Sequence, residues 1–141
     1  MTRPQLTEPE KAYIAGIVDG EGYIGIWEHA RKGRNPTIEC NVVVDMMNEK
    51  VMRWLHSRIG GSFDIVRPYP PKRNCTSYRV TLWSREAASL LKDIQPYLIV
   101  KADKAGKLIN IQEMRSSKHP IRMEEHALIL EGRPTFSGGR N

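Results

Sequence analysis

The sequence predicts an α+β fold in which a helix and two strands are followed by the same unit again and closed by further helix, αββαββα. Three observations predict it. A helix-capping signature stands near the N-terminus. Two pairs of alternating apolar–polar stretches are each joined by a turn cluster. Helical apolar stripes precede and follow those pairs. Four antiparallel strands with helices on one face are the expected result.

The elements follow in order. Thr7-Glu8-Pro9-Glu10 is a capping box: the Thr7 hydroxyl can accept from the Glu10 amide, and Glu10 can reach back to the Thr7 amide. Pro9 sits in the first turn, where a missing N–H costs nothing. A helix from about Glu8 to Gly20 follows. Tyr23 to Glu28 then alternates, with Ile24 and Ile26 on one face and Tyr23, Gly25 and Trp27 on the other. The turn cluster Arg31–Pro36 leads into a strand Thr37–Met46, where Ile38, Cys40, Val42 and Val44 share a face. Asn48 suits the N-cap of a helix Glu49–Ile59, striped by Val51, Met52, Leu55 and Ile59 and stopped by Gly60-Gly61. A strand Phe63–Arg67, a loop Pro68–Thr76 with three prolines and a strand Tyr78–Trp83 form a second hairpin. Ser84 can cap a helix Arg85–Ile94, which stops before Pro96. A helix from about Lys101 to Arg115 comes next, with Leu108, Ile109 and Ile111 as apolar members. Residues 1–115 thus read as one domain. Residues 116–141 read as an extension, with one short helix over Met123–Glu131 and a loose end.

The totals narrow the function. A chain of 141 residues that is 40% hydrophobic suits one ordinary core. No run of 18 apolar residues is present, and the opening MTRPQLTEPE lacks the apolar stretch of a secretory signal. Cys40 and Cys75 show no metal-ligand spacing with each other or with the four histidines, so Cys40 reads as a core thiol and Cys75 as a loop thiol in a reducing compartment. Lys plus Arg total 22 against 16 acids, a formal charge of +6. The basic residues cluster at the hairpin tips. That distribution fits a sheet face laid in a DNA major groove, and it also fits a solvated face.

The stretch Ile14–Gly22, IAGIVDGEG, is the densest in information. Ala12, Gly16 and Gly20 recur every four residues and line one helix face with almost no side chain. Such a face suits close approach of another backbone, most simply the same helix in a second copy about a two-fold axis, with Ala15 and Asp19 flanking it. Asp19 and Glu21 stand at a helix C-terminus, where negative charge is disfavoured. Carboxylates and free carbonyls there could hold a hard cation such as Mg²⁺. The same spacing also suits an ordinary polar helix end before a Gly-rich turn.

IAGIVDGEG resembles the LAGLIDADG motif of homing endonucleases. Ala15, Gly16, Asp19 and Gly22 match its letters, and the other five positions are conservative. Ile94–Lys101, IQPYLIVK, resembles the family's LQPFL segment leading to a lysine. The resemblance covers about residues 11–115. It implies a homodimeric, sequence-specific double-strand DNA endonuclease, one motif helix per subunit at the interface, using Mg²⁺ or Mn²⁺ and leaving short 3′ overhangs on a long pseudo-palindromic target. By the same resemblance Glu21 binds metal, with the Gly20 carbonyl as a candidate further ligand, and Lys101 polarises the attacking water or steadies the reacting phosphate, while Asp19 caps or braces the helix end rather than binding metal. Asp45, or Asn48 on a shifted alignment, stands where the family places a water-organising polar residue, and Lys50 is the candidate supporting base. Tyr23, Trp27, His29, Asn41, Arg67, Arg79 and Thr81 are the expected groove contacts. Arg31, Lys32, Arg34, Lys72 and Arg73 are the expected phosphate contacts. Glu39 could accept from cytosine or be solvated, and Trp27 could instead be buried by a hairpin neighbour. Trp54 and Trp83 read as packing residues. A maturase-like RNA-binding protein or an inactive DNA-binding protein on the same fold is the alternative. The expected location is intracellular: cytoplasmic in a bacterium or phage host, organellar for an organelle intron. Intron and free-standing origins stay open, while the short length and intact start argue against an intein.

Overall fold

A computed structural model describes residues 3–116 of the chain. The expected extension, apart from Ser116, lies outside the described residues. Helix α1 spans Glu8–Glu21, β1 Gly22–Arg31, β2 Arg34–Met46, α2 Glu49–Ile59, β3 Ser62–Val66, β4 Ser77–Trp83, α3 Ser84–Ile94 and α4 Ala102–Ser116, with a 3₁₀ turn Gln95–Tyr97 before α4. The strands form one antiparallel sheet in the order β1-β2-β4-β3. This is the α+β architecture the sequence predicts, including the helix that closes it. Among the described residues no helix is long and apolar enough to cross a membrane.

Two of the three capping signals operate. Thr7 accepts from the Glu10 amide and Glu10 from the Thr7 amide. Asn48 Oδ1 accepts from the Val51 amide at 3.0 Å. Gly60 and Gly61 have φ of 76° and 84°, which L side chains rarely adopt, and they end α2 as expected. A Cβ at Gly61 would also strike the Thr81 carbonyl.

Several boundaries differ from the sequence reading, three of them for a visible physical reason. Helix α1 continues through Glu21 because the Gly22 amide still donates to the Val18 carbonyl. Gly22 suits that approach, since a Cβ there would lie 2.7 Å from the Val18 oxygen. The first hairpin is longer, pairing His29 with Thr37 and Arg31 with Arg34 across a shift in register. Pro36 is tolerated because β4 pairs only with the Asn41–Met46 part of β2. Helix α3 begins at Ser84 itself, whose φ is 49°, and its N-cap Trp83 makes no side-chain capping bond. Ser84 is therefore not the cap.

The core lies between the sheet and the helices. Ile24, Ile26, Ile38, Cys40, Val42, Val44, Val80 and Leu82 project from one sheet face. Met52, Leu55, Leu90, Leu91, Ile94 and Leu108 meet them from the helices. The two thiols fall as expected: Cys40 is buried and Cys75 exposed. Burial pushes the Cys40 thiol up to about 11. Leu90 is fully buried in this layer. Leu90→Ala is expected to lower stability by about 2–5 kcal/mol, read as a reduced urea midpoint with an unchanged m-value.

Candidate nucleic-acid interface and catalytic residues

The sheet face opposite the helices is open. Strand alternation places Tyr23, Gly25, Trp27 and His29 on it from β1, and Thr37, Glu39, Asn41, Val43 and Asp45 from β2. Strand β4 adds Ser77, Arg79, Thr81 and Trp83, and β3 adds Ser62 and Asp64. A cavity of about 640 Å³ lies over this face, lined by Glu21, Tyr23, Asn41, Val43, Asp45, Asp64, Arg73, Arg79, Thr81 and Trp83.

Seven of the residues singled out in the sequence meet there: Glu21, Tyr23, Asn41, Asp45, Arg73, Arg79 and Thr81. Their environments are not all those expected. Asp45, opposite Arg79 in the register, pairs with it at 2.8 Å, so the candidate water-organising carboxylate and a candidate base reader hold each other. Arg73 does not stand at the loop tip; its guanidinium donates to Ser77 Oγ at 3.0 Å. Tyr23 has the Lys104 ammonium over its ring at 5.2 Å. Trp27 Nε1 donates to His29 Nε2 at 2.7 Å, and Glu39 lies 3.0 Å from the same nitrogen. Neutral His29 can accept from Trp27 there, and protonated His29 can donate to Glu39, so the two contacts are alternatives.

Other expected residues lie outside the cavity lining. Lys50 is exposed in the first turn of α2. Lys32 and Arg34 are exposed at the turn of the first hairpin, where Arg31 ends β1. Arg67 is exposed one residue past β3, and Lys72 is exposed in the following loop. Two cavity residues went unassigned in the sequence reading, Val43 and Asp64. Trp83, read there as a packing residue, is 48% exposed and meets Trp27 edge to face at 6.2 Å. The period-two pattern shared with Arg79 and Thr81 already placed it on the open face. Trp54 does pack, against Tyr13 at 5.3 Å.

The end of α1 is tied to the segment before α4. Asp19 Oδ2 accepts from the Ile99 amide at 2.7 Å, and Oδ1 accepts from the Val100 and Lys101 amides at 3.2 and 3.0 Å. Lys101 Nζ donates back to the Asp19 carbonyl at 2.5 Å. No basic residue lies in the last turn of α1. Lys101 supplies the missing positive charge from elsewhere in the chain. Asp19 thus braces the helix end, as the sequence reading expected. Glu21, two residues on, is exposed and makes no ion pair among the described residues.

The small-residue stripe divides. Ala12, Gly16 and Gly20 are exposed, and a Cβ at either glycine would meet nothing within 4 Å. Ala15, expected beside a partner, is instead fully buried in the chain's own core. Among the described residues no three His, Cys, Asp or Glu side chains converge as a metal site. The chain alone offers a carboxylate and a helix-end carbonyl, at Glu21 and Gly20. That hard-oxygen chemistry fits Mg²⁺ or Mn²⁺ when other oxygens complete the shell.

No protein-family model matches the chain, and no curated protein matches it. Solved structures do. The homing endonuclease I-CvuI in complex with its target aligns with a TM-score of 0.68 at 20% identity, over 87% of this chain and 78% of that one. The archaeal intron-encoded homing endonuclease I-Vdi141I complexed with DNA aligns at 0.69 and 12% identity, over 88% and 79%. The LAGLIDADG homing endonuclease I-SmaMI bound to cleaved DNA aligns at 0.67 and 16% identity, over 93% of this chain and 46% of that one. The chain spans about half the length of I-SmaMI. Its fold is that of the LAGLIDADG homing endonucleases.

Burial pushes the Asp19 carboxyl up. The amides of Ile99, Lys101 and Val100, with the Lys101 charge, outweigh burial and hold it below the ordinary value of 3.8. A depressed carboxylate stabilises the fold above its unfolded pKa and loses that contribution as pH falls through the folded one. Asp19→Asn should therefore flatten the loss of stability below about pH 4, and urea midpoints across pH 2–6 would measure it.

Proposed function

We propose that the chain is a homing endonuclease: a homodimer that binds double-stranded DNA at a long pseudo-palindromic site and hydrolyses one phosphodiester bond in each strand, leaving short 3′ overhangs. The observation that carries the reading is Glu21, an exposed carboxylate at the end of the motif helix with no ion pair among the described residues. The motif helix delivers Glu21 to the rim of the open sheet cavity, and Asp19 fixes Lys101 at that same helix end.

The sheet face would lie in the major groove, with Tyr23 and Arg79 toward base edges. Lys32, Arg34 and Lys72 would hold phosphates. The bare stripe Ala12–Gly16–Gly20 lets two motif helices lie close, which places the two Glu21 carboxylates side by side. Glu21 and the Gly20 carbonyl would hold Mg²⁺ or Mn²⁺, which when bound supplies Lewis-acid activation of water and neutralises phosphate charge. Lys101 presents its ammonium to the reacting phosphate, where developing negative charge is greatest.

A second reading is a DNA-binding protein without cleavage activity. The engagement of Asp45 by Arg79 favours it, since the carboxylate expected to organise water is already paired. Incubation with Mg²⁺ and a plasmid carrying the uninterrupted insertion locus separates the two. Cutting supports the endonuclease, and tight binding without cutting overturns it. Glu21→Gln is expected to keep DNA affinity within about twofold while lowering the cleavage rate at least about a hundredfold, by gel shift and single-turnover assay. Gly16→Leu is expected to convert the dimer to monomer in sedimentation velocity; an intact dimer would remove the helix-to-helix contact.

A further inference from the structure

Asn41 occupies the middle of the open face, on β2, with Gly25 of β1 on one side in the register and Trp83 of β4 on the other. It is 1% exposed, and its Oδ1 has no hydrogen-bond partner among the described residues. A buried acceptor left unpaired is costly, so the position calls for a donor. Gly25 makes room for the amide: a Cβ there would strike both Asn41 Oδ1 and Trp27 Cζ3. The Trp27 indole therefore lies back along β1, from Gly25 to the His29 ring that accepts its N–H. Its ring meets Trp83 at 6.2 Å across the strand that carries Asn41.

We propose that Trp27 and Trp83 form a movable cover over Asn41, and that docking of duplex DNA parts them so that the Asn41 amide reads an adenine. This rests on the double-stranded DNA reading above. An asparagine amide matches adenine in the major groove, its oxygen accepting from the N6 amino group and its nitrogen donating to N7. The cover keeps the unpaired acceptor from solvent in the free protein. Among the described residues, opening breaks the Trp27–His29 hydrogen bond and parts the Trp27 ring from those of Trp83 and His29.

The test uses the full chain and a pool of randomised DNA duplexes. Selection by the wild type is expected to show about a tenfold preference for adenine at one base pair per bound chain. Asn41→Ala should lose that preference and keep the others. Asn41→Asp should turn it toward cytosine, whose N4 amino group a carboxylate accepts. Unchanged selection by either folded variant overturns the assignment. Independently, the three tryptophans labelled with 5-fluorotryptophan report the cover by ¹⁹F NMR. The Trp27 and Trp83 signals should move when the selected duplex is added, while Trp54 stays in place as the internal control. Still Trp27 and Trp83 signals with bound duplex overturn the cover but leave DNA binding standing. Failure of the wild type to retain any duplex overturns both readings together.

Discussion

Three backbone amides converge on one carboxylate, Asp19, and the join between the end of α1 and the start of α4 depends on that convergence. Outside a helix consecutive N–H groups seldom share a direction, and the Asp19 carboxylate holds those of Ile99, Val100 and Lys101 so. The carboxylate lies on the last turn of α1, so the loop before α4 can dock in only one way. Its docking aims the Lys101 ammonium at the Asp19 carbonyl, which leaves an α-helix end compensated by a residue from the far half of the chain. The loop also carries Ile99 and Val100 outward, both largely exposed. Their apolar surface would be unstable on a freely moving segment and is held in place by the amides beneath it.

The two faces of the sheet obey different rules. On the helix side the buried positions Ile24, Ile26, Ile38, Cys40, Val42, Val44, Val80 and Leu82 are apolar or a thiol, and their packing is continuous with α1, α2, α3 and α4. On the open side charges are arranged in opposed rows. Asp45, Arg79 and Asp64 stand opposite one another across β2, β4 and β3. A lone arginine flanked by two acids has its fork directed before any partner arrives, which lowers the ordering cost on binding. At the other end of the face Trp27 and Trp83 meet edge to face, and Trp27 is further held by its hydrogen bond to His29.

Much of this was legible in the sequence, because local chemistry and tertiary structure agree. The capping box, the Asn48 cap, the Gly60-Gly61 stop and the period-two alternation each needed only their own neighbours to operate. The sheet order β1-β2-β4-β3 was not written in any one segment, since pairing of β2 with β4 is decided across α2. The Asp45–Arg79 pair was hidden for the same reason: its partners lie on strands whose register is set by long-range packing. The misread cap at Ser84 has a local cause. The chain turns directly from β4 into α3, and a residue in left-handed backbone cannot present its hydroxyl to the amides of the next turn as an N-cap does. Trp83 was read as a packing residue, although its alternation with Arg79 and Thr81 pointed outward. Ala15 was grouped with Gly16 by composition, yet adjacent positions on a helix point about 100° apart, and only one of them reaches the surface.

The link between Lys101 and the end of α1 bears on how related chains are judged. A lineage that ceased to cut DNA would still need a cation there, because its removal would leave a helix terminus and a docked loop uncompensated. Persistence of that lysine therefore says little about whether a copy remains active. Glu21 has no such structural duty in the isolated chain, being exposed and free of ion pairs among the described residues. If the chain is the nuclease proposed above, drift in an inactive copy should erase the acid first, and survival of Glu21 is the more telling mark of activity.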